Sequence, residues 1–208
     1  SARVVAEICR RLEGIPLAIE LAAACARLLA PEQLLARLDD RFRLLGVAGR
    51  TPNERHRTLR AALDWSYDLL AEDERTVLAR ASVFARGFTT AAAQAICAGD
   101  GVEPSAVGAL VDRLVETSLA YVEPGRDRYR MLDTVWEYAR ARLVASGDAG
   151  VRLRAHRDWF LALAERAHGE LAGPGQTAWL DTLEAESANL GAAIAWTLGE
   201  AREPVEGL

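Results

Sequence analysis

The sequence predicts a mainly α-helical fold that contains one small β-hairpin. Alanine and leucine dominate the 208 residues and runs of β-branched residues are few, a composition that favours helices. Along most of the chain, apolar residues recur at the three- and four-residue spacing of amphipathic helices. This period changes near residues 118–132, where two short extended runs flank a turn sequence.

Residues 1–50 form the first predicted domain, a small bundle of three or four short helices. Gly14 ends the first helix and Pro16 begins the second, since glycine is favoured just after a helix and proline at its first position. Residues 17–30 are apolar nearly all round, which predicts a buried helix. A linker rich in glycine, proline and polar residues is expected at 45–56.

Residues 51–146 form the second predicted domain, in which helices are followed by a hairpin and a closing helix. Thr89 or Thr90 is expected to cap the short helix "TAAAQAIC". The runs "SLAYVE" and "RYRML" on either side of "PGRD" predict the hairpin. This order of elements is that of a winged helix-turn-helix domain. The closing helix should bury one side, which is formed by Leu132, Val135, Trp136, Ala139 and Leu143.

Residues 147–208 form the third predicted domain, which is helical again. The segment "RLRAHRDWFLALAERAHGEL" predicts a long amphipathic helix, "GPGQ" interrupts it, and two short helices follow. One to one and a half helical hairpins of the tetratricopeptide-like kind fit this length. Such a unit cannot cover its own apolar face, so we expect further repeats and a chain that is a piece of a longer protein.

The charged residues and cysteines exclude several kinds of site. All 25 cationic residues are arginine, so the chain cannot contain a GxxxxGK[ST] P-loop or a Schiff-base lysine. The net charge of -5 argues against a domain whose main task is to grip phosphates. Cys9, Cys25 and Cys97 are odd in number and widely spaced, which predicts free buried thiols rather than disulfides or a zinc site.

The sequence shows no catalytic or metal-binding pattern, and we predict no enzymatic activity. His56, His156 and His168 stand in charged segments that suggest exposure, without a motif such as GxSxG or HExxH. Carboxylates at 39–40 and 72–74 are expected at helix ends, where they complement the helix dipole. An independent enzyme is kept as a third hypothesis, which would need one cavity with converging polar groups.

No secretory signal or membrane span is visible in the sequence. We therefore expect a cytoplasmic protein with no membrane partner.

DNA binding is the alternative function for a winged-helix domain. The helix before the hairpin, "SAVGALVDRLVETS", offers only Arg113, set against Asp112 and Glu116. Residues 51–146 hold 12 arginines against 14 acidic residues, whereas phosphate contacts need several cations on one face. A domain used for packing fits this balance better. The alternative stays open because the wing carries Arg126, Arg128 and Arg130.

Seven segments follow one another along the chain: "GIPLAIELAAA", "PEQLLARLDDRFRLL", "TLRAALDWSYDLL", "SVFARGFT", "LVETSLAYVE", "YRMLDTVWEYARARL" and "AWLDTLEAESANL". Together they resemble the regulatory half of STAND-type nucleotide-switch ATPases of the NB-ARC class. More narrowly, they resemble the part that follows the ATPase core in bacterial LuxR-like and antibiotic-regulator-like transcription factors. In that family a P-loop domain precedes a small helical domain, a winged helix and a helical-repeat sensor, so this chain would hold the last three.

The resemblance implies three cofactor-binding residues, Gly14, Pro16 and Asp133. Gly14-Ile15-Pro16 matches a GxP motif whose proline packs against the adenine in relatives. Met131-Leu132-Asp133 falls where relatives carry Met-His-Asp, and Leu132 replaces a histidine that reaches the β-phosphate of ADP. Leucine cannot donate to a phosphate. Two simpler interpretations stay open: Gly14 and Pro16 turn a corner between helices, and Asp133 caps the helix that follows.

The resemblance also implies a two-state switch that uses ADP and ATP in the full-length protein. The P-loop domain in cis would be the main partner and would hold the phosphates, so tight nucleotide binding to this chain alone is not expected. An unknown protein or small-molecule effector would act at the helical repeats, and exchange to ATP would favour an open state able to oligomerise. No direct nucleic acid contact is expected from this chain.

Overall fold

Eleven helices and one two-stranded hairpin make up the part of the chain that the computed structural model describes, residues 2–12, 14–27, 29–45, 52–124 and 127–200. The side chains of residues 39–45, 52–57 and 200 lie outside that description. The predicted mainly α fold with a small hairpin is confirmed. The elements are α1 (Ala2–Arg11), α2 (Pro16–Cys25), α3 (Pro31–Leu45), α4 (Pro52–Leu69), α5 (Glu72–Ala81), α6 (Thr90–Cys97), α7 (Pro104–Glu116), β1 (Tyr121–Val122), β2 (Tyr129–Arg130), α8 (Asp133–Ser146), α9 (Ala149–Glu170), α10 (Gln176–Ala185) and α11 (Ser187–Glu200).

The contacts within the chain group its residues into two compact units. The first unit comprises Ser1–Arg75 and Val111–Tyr121, and the second comprises Thr76–Leu110 and Val122–Leu208. In the first unit, α1 packs against α3, and both α2 and α3 pack against α4. The second unit is built around the long helix α9, which packs against α6, α8, α10 and α11.

Helix α2 is shorter than the sequence predicted and is buried on one side only. It ends at Cys25 rather than at residue 30. Ala18, Leu21, Ala22 and Cys25 are buried, whereas Glu20 and Ala23 are exposed. The apolar run therefore overestimated both the length and the burial of this helix, because alanine is common on exposed helix faces as well as in cores.

The predicted linker at 45–56 is partly wrong. Residues 52–56 belong to α4, which begins at Pro52, and residues 46–51 lie outside the described residues. Proline is suited to the first helical position, since its missing N–H has no partner there in any case. The carboxylates at 39–40 fall inside α3 and not at its end, whereas Glu72, Asp73 and Glu74 do occupy the first turn of α5.

The second unit has an aromatic core. Phe84 and Phe88 stack with ring centres 4.7 Å apart, and Phe160 of α9 meets Phe84 edge-on at 6.4 Å. The N-terminus of α6 is capped as predicted, since the Thr89 hydroxyl accepts a hydrogen bond from the Ala92 N–H at 3.2 Å. Phe88 also pairs with Tyr129 in an antiparallel bridge next to the hairpin. The turn that contains Phe84 and Phe88 is therefore tied to β2.

Helix α8 buries Val135, Ala139 and Leu143 as predicted, whereas Trp136 of the predicted side is only half-buried. Leu132 does not belong to that side: it precedes the helix and is 42% exposed. Among the described residues, no helix is both long enough and apolar enough to cross a membrane.

Candidate functional site

Gly14 and Pro16 form a tight corner between α1 and α2 in the first unit. Gly14 adopts a left-handed conformation with φ of 69°, which favours glycine. The Ile15 N–H donates to the Leu12 carbonyl at 3.0 Å, and Pro16 begins α2. The corner interpretation is thus confirmed. It is compatible with a pocket wall, because both Gly14 and Pro16 are exposed.

Asp133 lies in the second unit, beside a cleft of about 440 Å³. We call this the Asp133 cleft; its lining consists of the turn 84–88 together with Arg130, Met131, Asp133, Trp136 and Glu137. Asp133 is the first residue of α8, and the N-cap position is Leu132, which makes no side-chain hydrogen bond to the helix. The expectation that Asp133 caps α8 is therefore wrong. Its carboxylate still lies in the first turn, where the helix dipole favours a negative charge.

The Asp133 cleft contains two cations and two carboxylates. Arg130 donates through Nη1 to Glu123 Oε1 at 2.9 Å. Arg86 is exposed and makes no hydrogen bond or ion pair within the described part of the chain. Arg86 was not predicted as a site residue, although a charged residue between Ala85 and Gly87 at the end of the apolar segment "SVFA" is a usable signal for an exposed turn.

Gly87 allows the backbone of this turn to approach β2 closely. A Cβ atom at this position would lie 2.9 Å from Arg130 Cγ and 3.0 Å from the Tyr129 carbonyl oxygen. The second distance involves backbone, which cannot move without disturbing the bridge to Phe88. Close backbone approach is one of the two reasons for which a fold needs glycine.

A buried polar network holds the same turn from the other side. We use the name Asn189 network for the side chains of Arg128, Glu186 and Asn189 with the backbone of Ala85 and Gly87. Arg128 forms a bidentate ion pair with Glu186 and donates to the Gly87 carbonyl at 3.0 Å. Asn189 accepts from the Ala85 N–H at 2.8 Å and donates to the Gly87 carbonyl at 2.9 Å.

Two residues of this region are more deeply buried than their sequence context suggested. Arg128, a wing arginine that kept the DNA-binding alternative open, is 8% exposed and paired with Glu186, and His156, expected at the surface, is 2% exposed. His156 Nε2 lies 3.4 Å from Asn189 Oδ1, so that nitrogen carries the proton, because an amide oxygen only accepts. Burial lowers the pKa of His156, although the hydrogen bond with Asn189 opposes this.

A second cluster of charges ties α5 to α9 within the second unit. Asp148 accepts from Arg80 at 2.7 Å and from Arg152 at 2.9 Å, and both arginines also donate to backbone carbonyls of residues 96–99. Burial raises the pKa of Asp148, but the hydrogen bonds from Arg152 and Arg80 outweigh it and hold this pKa below its ordinary value. Every donor points to protein oxygen, so we assign this cluster a structural role.

Helix α7, which would be the recognition helix of a DNA-binding domain, offers little for that task. Arg113 forms ion pairs with Glu74 and Glu116. Val107, Val111 and Leu114 are fully buried, so the apolar face of this helix is occupied by packing. Arg126 of the wing lies outside the described residues.

The cysteines are free and differ in exposure. Cys25 and Cys97 are buried as predicted, whereas Cys9 is only half-buried. Within the described ranges, no group of three His, Cys, Asp or Glu side chains is placed to hold a metal ion.

Comparison with known proteins gives strong sequence matches that cover only part of the relatives. No protein-family model matches the chain, and no solved structure matches it. Two proteins named as HTH-type transcriptional regulators, one from Mycobacterium tuberculosis and one from Mycobacterium bovis, are each 43% identical to this chain over 199 residues. The match covers 95% of this chain and 22% of the relative. An uncharacterized protein of Mycobacterium tuberculosis is 43% identical over 160 residues, 76% of this chain and 41% of the relative. The match therefore covers nearly the whole of this chain but only about a fifth of the length of each regulator.

Proposed function

We propose that this chain is a non-catalytic regulatory segment of a longer transcriptional regulator of the cytoplasm. The observation that carries the proposal is the 43% identity, over 95% of this chain, to proteins named as HTH-type transcriptional regulators. The match spans 22% of the length of those proteins. The corner at Gly14 and Pro16 and the cleft beside Asp133 support a more specific role, in which the segment closes over ADP or ATP.

In this proposal the nucleotide is held mainly by a P-loop domain elsewhere in the parent protein, since this chain has no lysine to reach a phosphate. Pro16 supplies an apolar surface for the adenine, and Asp133 lies beside the cleft at the start of α8. Leu132 is exposed next to Asp133 but cannot donate to a phosphate. An effector that binds the C-terminal helices differently in the ADP and ATP states would shift the balance between them.

The test is a titration of a fluorescent ADP analogue into two proteins, this chain and the parent that contains it. We expect saturable binding to the parent only. In the parent, Pro16→Ala and Asp133→Ala should each weaken binding about tenfold, equivalent to about 1.4 kcal/mol. Glu165→Ala is the matched control for Asp133→Ala, because Glu165 is an exposed acid of α9.

Two results would contradict the proposal. One is a parent protein that binds no nucleotide, or that binds it equally well in the Asp133→Ala and Glu165→Ala variants. The other is turnover of ATP by the 208-residue chain alone, which would make it an enzyme in its own right.

A further inference from the structure

We infer that Asn189 is a positioning residue that couples the C-terminal helices to the Asp133 cleft through the turn 84–88. The role of the cleft in nucleotide binding rests on the proposed function, whereas the positioning itself rests on the geometry of the second unit. A displacement of α11 changes the turn, and the changed turn alters the cleft.

The Asn189 side chain contacts the turn on both sides of Arg86. Its Oδ1 accepts from the Ala85 N–H at 2.8 Å, and its Nδ2 donates to the Gly87 carbonyl at 2.9 Å. The side chain is 1% exposed, so water does not replace these bonds. The oxygen must face Ala85, because an N–H cannot donate to the amide nitrogen, and the orientation of the amide is thereby fixed.

Every remaining hydrogen-bonding capacity of this amide is also used. The second N–H of Nδ2 donates to Glu186 Oε2 at 2.7 Å, and Oδ1 lies 3.4 Å from His156 Nε2. A buried amide with all partners in place is stable in one arrangement and costly in a shifted one, since a lost partner leaves a desolvated polar group. The contact between α11 and the turn is therefore closer to a two-state contact than to a sliding one.

The turn itself forms one wall of the Asp133 cleft. Phe84, Gly87 and Phe88 line this cleft together with residues of α8, and Trp136 of α8 donates through Nε1 to the Phe84 carbonyl at 2.9 Å. The turn is thus held by α8 at Phe84 and by α11 at Ala85 and Gly87. Release of the attachment to α11 changes the wall of the cleft that contains Arg86, while the position of Asp133 does not change.

The hairpin is tied to the same point. The Gly87 carbonyl accepts from both Asn189 and Arg128, and Arg128 in turn pairs with Glu186 one turn before Asn189 on the chain. A movement of α11 therefore removes the Asn189 donor from the Gly87 carbonyl directly. It also shifts Glu186, the partner that holds the second donor, Arg128. This convergence of two donors on one carbonyl is what makes Asn189 a coupling residue rather than one contact among many.

The first experiment measures amide hydrogen exchange by NMR in the 208-residue chain. Asn189→Ala should raise the exchange rate of the Ala85 amide at least about tenfold more than that of the core amides of α9, and should shift the Trp136 indole N–H signal. Thr197→Ala is the matched control, because Thr197 is an exposed residue of the same helix whose hydroxyl bonds within it. An Ala85 amide that loses protection only in step with α9 would show a merely structural role and overturn the inference.

A second measurement does not depend on the variant folding. In the wild-type chain, the hydrogen bond itself should give a scalar coupling between the Ala85 amide nitrogen and the Asn189 side-chain carbonyl carbon. Absence of this coupling in a folded chain would equally overturn the positioning.

The third experiment tests the coupling in the parent protein. Asn189→Ala should change the affinity for the fluorescent ADP analogue by about fivefold or more, a normal size for coupling between sites, while Thr197→Ala leaves it unchanged. Equal ADP affinity in wild type and Asn189→Ala would overturn the coupling. A parent that binds no ADP at all overturns the proposed function and the coupling, but the exchange result for Ala85 still decides whether Asn189 positions the turn.

Discussion

His156 shows how burial decides the behaviour of a single residue. Its ring lies 4.6 Å from the Phe160 ring and 5.7 Å from the Phe84 ring, measured between centres. Burial, the largest effect, lowers the pKa of His156 below the ordinary value of 6.5. The charge of Glu186 raises this pKa, and the charge of Arg140 lowers it. A histidine held neutral in an aromatic core favours the unfolded state as soon as the unfolded chain can bind the proton.

We expect the free energy of unfolding to fall as the pH is lowered from about 7 to about 5, because unfolded His156 takes up a proton near pH 6.5 and folded His156 does so only at lower pH. Above about pH 7, His156 is neutral in both the folded and the unfolded chain, and this loss of stability is absent. Urea unfolding at several pH values measures it, with His156→Leu as the comparison. If the variant shows the same slope as the wild type between pH 7 and 5, His156 is not the source.

The cysteines should differ in reactivity according to burial. Burial raises the pKa of the Cys97 thiol to about 12 and that of Cys25 to about 11, the latter opposed by a hydrogen bond with Ser66. Since the thiolate is the reactive form, iodoacetamide at pH 8 should modify half-buried Cys9 first in the folded protein and all three cysteines in urea. Mass spectrometry of the labelled peptides provides the measurement. Labelling of Cys97 before Cys9 under native conditions would contradict this.

At the scale of elements, the turn 84–88 and the helices beside it show what local sequence can and cannot predict. The cap at Thr89, the acidic first turn of α5 and the hairpin follow from residues within a few positions of each other. The burial of Arg128 does not, because its partner Glu186 is 58 residues away. The corner at Gly14 was predictable, whereas the partners of Asp133 in its cleft come from a turn almost fifty residues earlier in the sequence.

The close approach at Gly87 can be tested with a pair of glycine variants. Gly87→Ala places a Cβ atom 3.0 Å from the Tyr129 carbonyl oxygen and should destabilise the protein by about 1–3 kcal/mol, the range for overpacking. Gly191→Ala adds a methyl group in open space on α11 and should stabilise it by up to about 1 kcal/mol. Urea midpoints report both effects, and a Gly87→Ala variant as stable as the wild type would show that the turn can move away from β2.

At the scale of the molecule, three arginines of the second unit serve packing rather than recognition. Arg80, Arg128 and Arg152 are all buried and paired with carboxylates. The net charge of -5 predicted weak attraction to phosphates, but it could not show which arginines were available. That information depends on partners brought together by the fold.

We expect no binding of this chain to duplex DNA at low salt. Arg113 is paired on both sides and Arg128 is buried, so neither arginine is free to release counterions from a phosphate backbone. Fluorescence anisotropy with a labelled duplex at about 50 mM salt is a sensitive test, because electrostatic binding is strongest there. Binding in the micromolar range that weakens steeply with added salt would favour the DNA-binding alternative.

The contacts of α11 also limit how far the chain can be shortened for study. Asn189 bonds to Ala85 across 104 positions, and Glu186 compensates the buried charge of Arg128. A fragment that stops after α9 would keep every residue of the hairpin and of the Asp133 cleft, yet would lose the carboxylate that pairs with Arg128 and the amide that holds the turn 84–88. The smallest expressible piece that preserves the cleft therefore extends through α11.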